Sequence, residues 1–111
     1  MNVQTIVNEL NLSVKCLSDR LGAEVTGGYV GDLLSDVMAN SAAGHLWITR
    51  QTHQNIIAVA SLKDHAAIII VQGAGPDADT LEKATDEGIP VLVSPLHAFE
   101  LAGKIYAVLN R

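Results

Sequence analysis

Ala66-Ala67-Ile68-Ile69-Ile70-Val71 is an unbroken apolar run of strand length. With no alternating polar residue to face water, it reads as a central parallel strand covered on both faces. Just after it, Gly73-Ala74-Gly75-Pro76 turns the chain into a helix carrying Leu81, Ala84 and Gly88 at i, i+3, i+7. Gly88 is placed as its C-cap. Asp79 and Glu82 are spaced as a capping box, and Asp79 with Lys83 as an i,i+4 pair. Ile89-Pro90-Val91-Leu92-Val93 is a second buried strand, whose proline fits only near its start. Ser94-Pro95 then opens the last helix as N-cap and N1, with Phe99, Ala102, Tyr106 and Leu109 along the buried side.

Working the other way, residues 54–63 are helical, and Ile56, Ile57, Val59, Ala60 and Leu62 leave them little polar face. Such a helix is covered on more than one side. His45-Leu46-Trp47-Ile48-Thr49 has strand chemistry, with Trp47 assigned to the core. The second half therefore reads β-α-β-α-β-α, with strands at 45–49, 66–71 and 89–93, made parallel by right-handed crossovers. Near the N-terminus, Val3, Ile6, Val7 and Leu10 mark a short helix capped by Asn2 and ended by Asn11. Residues 12–17 read as a short strand and 24–29 as another. From Asp32, taken as a cap, Leu33, Leu34, Val37 and Met38 indicate a helix that places Asp32 and Asp36 on one face. The expected fold class is α/β: one domain over residues 1–111, three layers, a mostly parallel sheet of about five strands with helices on both faces.

Composition agrees. The chain is 49% apolar but only 4% aromatic, so its core is built from Ile, Val, Leu and Ala. Net charge is −5 with seven basic residues scattered singly, which excludes the basic stripe of a nucleic-acid binder. No apolar run approaches the ~18 residues of a membrane span and no signal-peptide pattern is present. The lone Cys16 rules out an internal disulfide and fits a reducing cytoplasm.

The stretch Thr26-Gly27-Gly28-Tyr29-Val30-Gly31-Asp32 holds three glycines within five residues. Glycine pairs forfeit side-chain packing and belong where the chain bends or another group comes close. In an open parallel sheet, ligands bind beyond the carboxyl ends of the strands. Three segments should meet there: Thr49-Arg50-Gln51-Thr52-His53, Gly73-Ala74-Gly75-Pro76-Asp77 and Ser94-Pro95-Leu96-His97. Beside the glycine-rich segment, the first of these forms the expected pocket wall. The candidate ligand-binding residues are Thr26, Gly27, Gly28, Asp32, Ser35, Thr49, Gln51, Thr52, His53 and Gly73.

No catalytic set emerges. Gly73-x-Gly75-x-x-Ala78 matches the dinucleotide fingerprint formally. Pro76, however, removes an N–H where pyrophosphate would bind, and Asp77 and Asp79 put negative charge there. His45, His53, His65 and His97 are dispersed, with no metal-ligand spacing. No cofactor or metal is expected.

Thr26-Gly27-Gly28 followed by Tyr29-Val30-x-Asp32-Leu33-Leu34-Ser35-Asp36-Val37-Met38 resembles the DRTGG-domain family, and Trp47-Ile48-Thr49-x-Gln51-Thr52-His53-x-Asn55-Ile56 is similar to its single-domain members. The Asp-Arg of the family signature is Glu24-Val25 here, so no role for that arginine carries over. The resemblance implies a fold like the N-terminal domain of HPr kinase and a regulatory or assembly role, beside hydrogenase genes for stand-alone members, with the kinase domain absent. A more distant resemblance is to the N-terminal domain of Mur ligases, through Asp36-Val37-Met38 and Gly44-His45-Leu46-Trp47, without the serine and arginine that would contact a uridine nucleotide.

Three functions compete. First comes a non-catalytic, cytoplasmic regulatory domain that binds a small molecule, such as a nucleotide, and acts as a homo-oligomer (a dimer) in a metabolic or hydrogenase-associated setting. The second is a pure interaction module docking a protein partner without a small ligand. The third is a phospho-acceptor or enzyme using His53 or His97.

Overall fold

The computed structural model describes all 111 residues. Its order is α1 (Val3–Leu10), β1 (Ser13–Val14), β2 (Gly27–Val30), α2 (Leu34–Asn40), β3 (His45–Thr49), α3 (Asn55–Leu62), β4 (Ala67–Ile70), α4 (Ala78–Glu87), β5 (Val91–Val93) and α5 (Ala98–Leu109). The five strands form one sheet in the order β1-β5-β4-β3-β2. Pairs β2–β3, β3–β4 and β4–β5 are parallel, and only β1 runs antiparallel, against β5. This is the expected three-layer, mostly parallel α/β architecture.

The strand order explains the layers. From β2 to β5 the chain always steps to the next strand in the same direction, so right-handed crossovers place α2, α3 and α4 on one face. Val37, Trp47, Ile56, Ile57, Ile68, Ile70 and Ala84 pack there. On the other face α1 and α5 bring Val3, Ile6, Leu101 and Ile105 against Leu46, Ile48, Ile69 and Leu92. Alternation along β3 and β4 thus feeds both cores, which is why Ala66–Val71 has no polar residue. Each fully buried Ile of this run contributes roughly 1.5–3 kcal/mol.

Local chemistry fixes several ends as expected. Asn2 Oδ1 accepts from the Thr5 N–H at 3.0 Å, and Asn11 terminates α1 in the left-handed conformation at φ 53°. Gly88 closes α4 at φ 73°.

Other ends differ, each for a traceable reason. The strand expected over 12–17 shrinks to Ser13–Val14, because Lys15 N–H makes the last bond toward β5 and Leu17 leaves at φ 58°. The strand expected over 24–29 begins and ends later. Val25 N–H goes instead to Met1, and Glu24 forms an isolated bridge with Asn2. Asp32 is not the cap of α2, which starts at Leu34, and it does not share a helical face with Asp36. Its carboxylate takes two donors from the end of β3, which outweigh the single bond of a cap. The Asp79/Glu82 box does not form, since the helix starts at Ala78 with Asp77 at the cap position. Lys83 pairs with Glu87 at 3.7 Å rather than with Asp79.

The largest correction is in α5. Ser94 does not cap it. Its hydroxyl oxygen accepts from Leu96 N–H at 3.1 Å in a separate turn, and the helix starts at Ala98 with His97 at the cap position. Leu101 and Ile105 are buried, while Phe99 is 90% and Tyr106 71% exposed. Ala102 and Leu109 pack at the margin of the core. No helix is long and apolar enough to cross a membrane.

Candidate functional site

The carboxyl ends of β2 and β3 meet at Asp32. Its Oδ1 accepts from Thr49 Oγ1 at 2.7 Å and from Arg50 N–H at 2.8 Å. Gln51 Nε2 donates to the Asp32 carbonyl at 3.0 Å, and Gln51 N–H donates to Thr49 Oγ1 at 3.1 Å. Beneath, the Trp47 indole N–H donates to the Gly31 carbonyl at 2.9 Å, anchoring the loop to the core. Asp32, Arg50, Gln51 and Thr52 line an open depression of about 280 Å³ without a hydrophobic side chain. This is slightly below the size of a drug-like pocket. The steady direction of winding explains the shallowness, since no reversal of strand order splays two crossovers apart into a crevice.

The other two expected segments join this edge through the backbone. Gln72 and Gly73 follow β4 at φ 61° and 67°, a tight left-handed pair that folds the chain over the end of β5. There Gln72 N–H donates to Leu96 O and Gly73 N–H to Ser94 O, each at 2.8 Å. Arg50 Nε donates to Gln72 Oε1 at 2.9 Å, linking the loops after β3 and β4. Thr52 O accepts from Thr80 Oγ1 at 2.7 Å and from Asp77 N–H at 3.2 Å, which tethers the start of α4. His53 is exposed, and its Nδ1 faces Asn55 N–H at 3.5 Å.

Asp32, Thr49, Gln51, Thr52, His53 and Gly73 therefore lie on one edge. Thr26, Gly27 and Gly28 do not. They stand at the start of β2, the amino end of the parallel sheet, where Gly27 pairs with His45. Thr26 Oγ1 donates to Ala43 O at 2.8 Å. Gly44, at φ 79°, lies so close that a Cβ there would fall 2.6 Å from Thr26 Oγ1. Gly28 faces the α5 side and opens an apolar hollow of about 180 Å³ with Val30, Ile48 and Ile105. Ser35 is exposed on α2 and makes no side-chain hydrogen bond. Asp36 accepts from the Tyr29 hydroxyl, whose pKa is raised first by that bond, then by desolvation and by the Asp36 charge.

Arg50 is absent from the residues singled out by sequence, although it is the one Lys or Arg in the three edge segments. That uniqueness was the available signal. Also unforeseen is the amino end around His65, only 4% exposed. Ser41 Oγ donates to Val37 O at 2.7 Å, so its oxygen accepts from His65 Nε2–H at 2.8 Å. His65 Nδ1 is then left without a partner. Burial, followed by the charges of His45 and Lys63, lowers its pKa to about 4, against the opposing pull of Asp64. The imidazole packs edge-on against Trp47, with centroids 5.6 Å apart. No three His, Cys, Asp or Glu side chains gather as metal ligands would.

No family model and no curated protein matches this sequence. Among solved structures, the chain is similar to the CBS and DRTGG domains of the regulatory region of Clostridium perfringens pyrophosphatase, complexed with the activator diadenosine tetraphosphate. The two align with a TM-score of 0.70 at 16% identity, over 90% of this chain and 44% of that one. The likeness is one of fold, and it gives the DRTGG-like architecture expected from Thr26–Met38 a counterpart in a solved structure.

Proposed function

We propose that this chain is a non-catalytic regulatory domain that senses a nucleotide at the carboxyl edge of its sheet and works as a homo-oligomer. The observation that carries the reading is the Asp32–Arg50–Gln51–Thr52 depression. One cation stands beside amide and hydroxyl groups on a frame already fixed by hydrogen bonds. Phosphate would pair with the Arg50 guanidinium. The free oxygen of Asp32, the Gln51 amide and the Thr52 hydroxyl would take ribose or base, with the exposed His53 next along the chain and Gly73 on the neighbouring loop of the same edge. The fold likeness to a regulatory region complexed with a nucleotide activator supports the choice of ligand class. A reaction gains no support, because His53 and His97 are exposed on separate loops without a placed acid or base beside them. Thr26, Gly27 and Gly28 would serve this function by shaping β2 rather than by touching the ligand.

Isothermal titration of mononucleotides and dinucleoside polyphosphates tests the proposal. Binding is expected for the wild type and its loss for Arg50→Ala. No heat from any nucleotide at millimolar concentration would refute the sensor reading. A second reading, a protein-interaction module without a small ligand, is favoured by one feature, the exposed aromatic face of α5.

A further inference from the structure

α5 carries two apolar stripes, and only one meets the core. The other presents Phe99 and Tyr106, 90% and 71% exposed, beside Val30 of β2, 49% exposed. Between the aromatics lies Gly103, where an added Cβ would meet nothing within 4 Å. A glycine inside a helix is less stable than alanine, and nothing within the chain needs the space. Glu100 and Lys104 flank the same face four residues apart, yet no ion pair joins them. The outer edge of β2, alongside, has no strand partner.

We propose that this face, centred on Ala102 and Gly103, binds a second copy of the chain by antiparallel packing of α5 on α5 about a twofold axis. The assignment rests on the homo-oligomer part of the reading above and names its surface. The pattern is self-complementary, as a twofold contact requires. An axis between Ala102 and Gly103 sets Phe99 against the partner's Tyr106 and brings Glu100 within reach of the partner's Lys104. The small residues at the centre let the two backbones approach. Phe99 and Tyr106 alone offer roughly 300 Å² of the roughly 800 Å² that each partner gives to a standard interface. Val30, Ala107 and the charged rim extend it.

Sedimentation equilibrium of the full chain without nucleotide tests the assignment, so its outcome is independent of whether the Arg50 edge binds anything. A dimer is expected at micromolar concentration. Phe99→Glu should weaken it at least ~30-fold, since the twofold counts each loss twice, with the far-UV circular dichroism unchanged. Glu100→Lys and Lys104→Glu should each weaken the dimer, and the double reversal should restore it. With Cys16→Ser removing the native thiol, Gly103→Cys should form a disulfide-linked dimer on mild oxidation. A chain monomeric at every concentration, a dimer indifferent to Phe99→Glu, or a double reversal that fails to restore pairing would overturn the proposal.

Discussion

The two ends of the parallel sheet are built to opposite specifications. At the amino end, the buried Ser41–His65 pair ties α2 to the start of β4, while at the surface Thr26 bonds Ala43 O and presses against Gly44, joining the starts of β2 and β3. At the carboxyl end, Asp32, Arg50 and Gln51 hold one another in place and Thr52 is tethered to the start of α4, yet all four remain open to solvent. Groups that are buried and bonded determine whether the chain folds. Groups that are bonded yet accessible are free to recognise something else. The difference teaches that the Gly27–Gly28 pair and the candidate ligand edge at Asp32 are separate features, held about 15 Å apart at the strand rise of ~3.3 Å per residue.

This contrast can be broken in measurable steps. The largest effect should come from acid. His65 is neutral when folded, with its pKa lowered to about 4, and titrates near 6.5 when unfolded. Between those values the unfolded chain binds more protons. Its stabilising contribution is therefore complete above pH 6.5 and lost as pH falls toward 4, up to about 3 kcal/mol. Urea denaturation across that window should show a steeper pH slope for the wild type than for His65→Gln; equal slopes would dismiss the imidazole as the cause. Next, Gly44→Ala combines a positive φ with a clash at Thr26 and should cost about 2 kcal/mol in the same assay. Thr26→Ala, which removes a solvent-exposed bond to Ala43 O that water can replace, should cost about 0.5 kcal/mol. At the other end Arg50→Ala should move stability by less than about 0.5 kcal/mol while abolishing nucleotide binding. If Thr26→Ala eliminated binding without loss of stability, the separation of the two ends would be wrong.

Much of this architecture is legible in the sequence. A run such as Ala66–Val71 has one consistent environment, so β4, its neighbours and their parallel pairing follow directly. Asn2, Asn11 and Gly88 were equally plain, because each supplies a cap that its position demands. α5 was not. Phe99-x-x-Ala102-x-x-x-Tyr106 and Leu101-x-x-x-Ile105 are both apolar stripes at helical spacing, and periodicity alone cannot choose between them. The choice is made by where the helix starts, which the Ser94–Leu96 turn displaces. The site was legible in part for a similar reason. Strand ends place Thr49–His53 and Gly73 on one edge, but a strand's direction determines which end its glycines occupy. Gly27 and Gly28 come first in β2, so they fall on the far side from Asp32. Asp32 misled too, since an acid before an apolar run looks like a cap until a pair of better donors is found across the sheet.

One bond lends the molecule its own optical probe. Trp47 is the sole tryptophan, completely buried, and its indole N–H is tied to the carbonyl one residue before Asp32. Any event that shifts the Asp32 loop must disturb this indole, whose emission colour and intensity depend on that bond and on its dry surroundings. Unlabelled protein should thus announce occupancy of its own rim through ultraviolet fluorescence, and silence there during a binding event would place that event elsewhere.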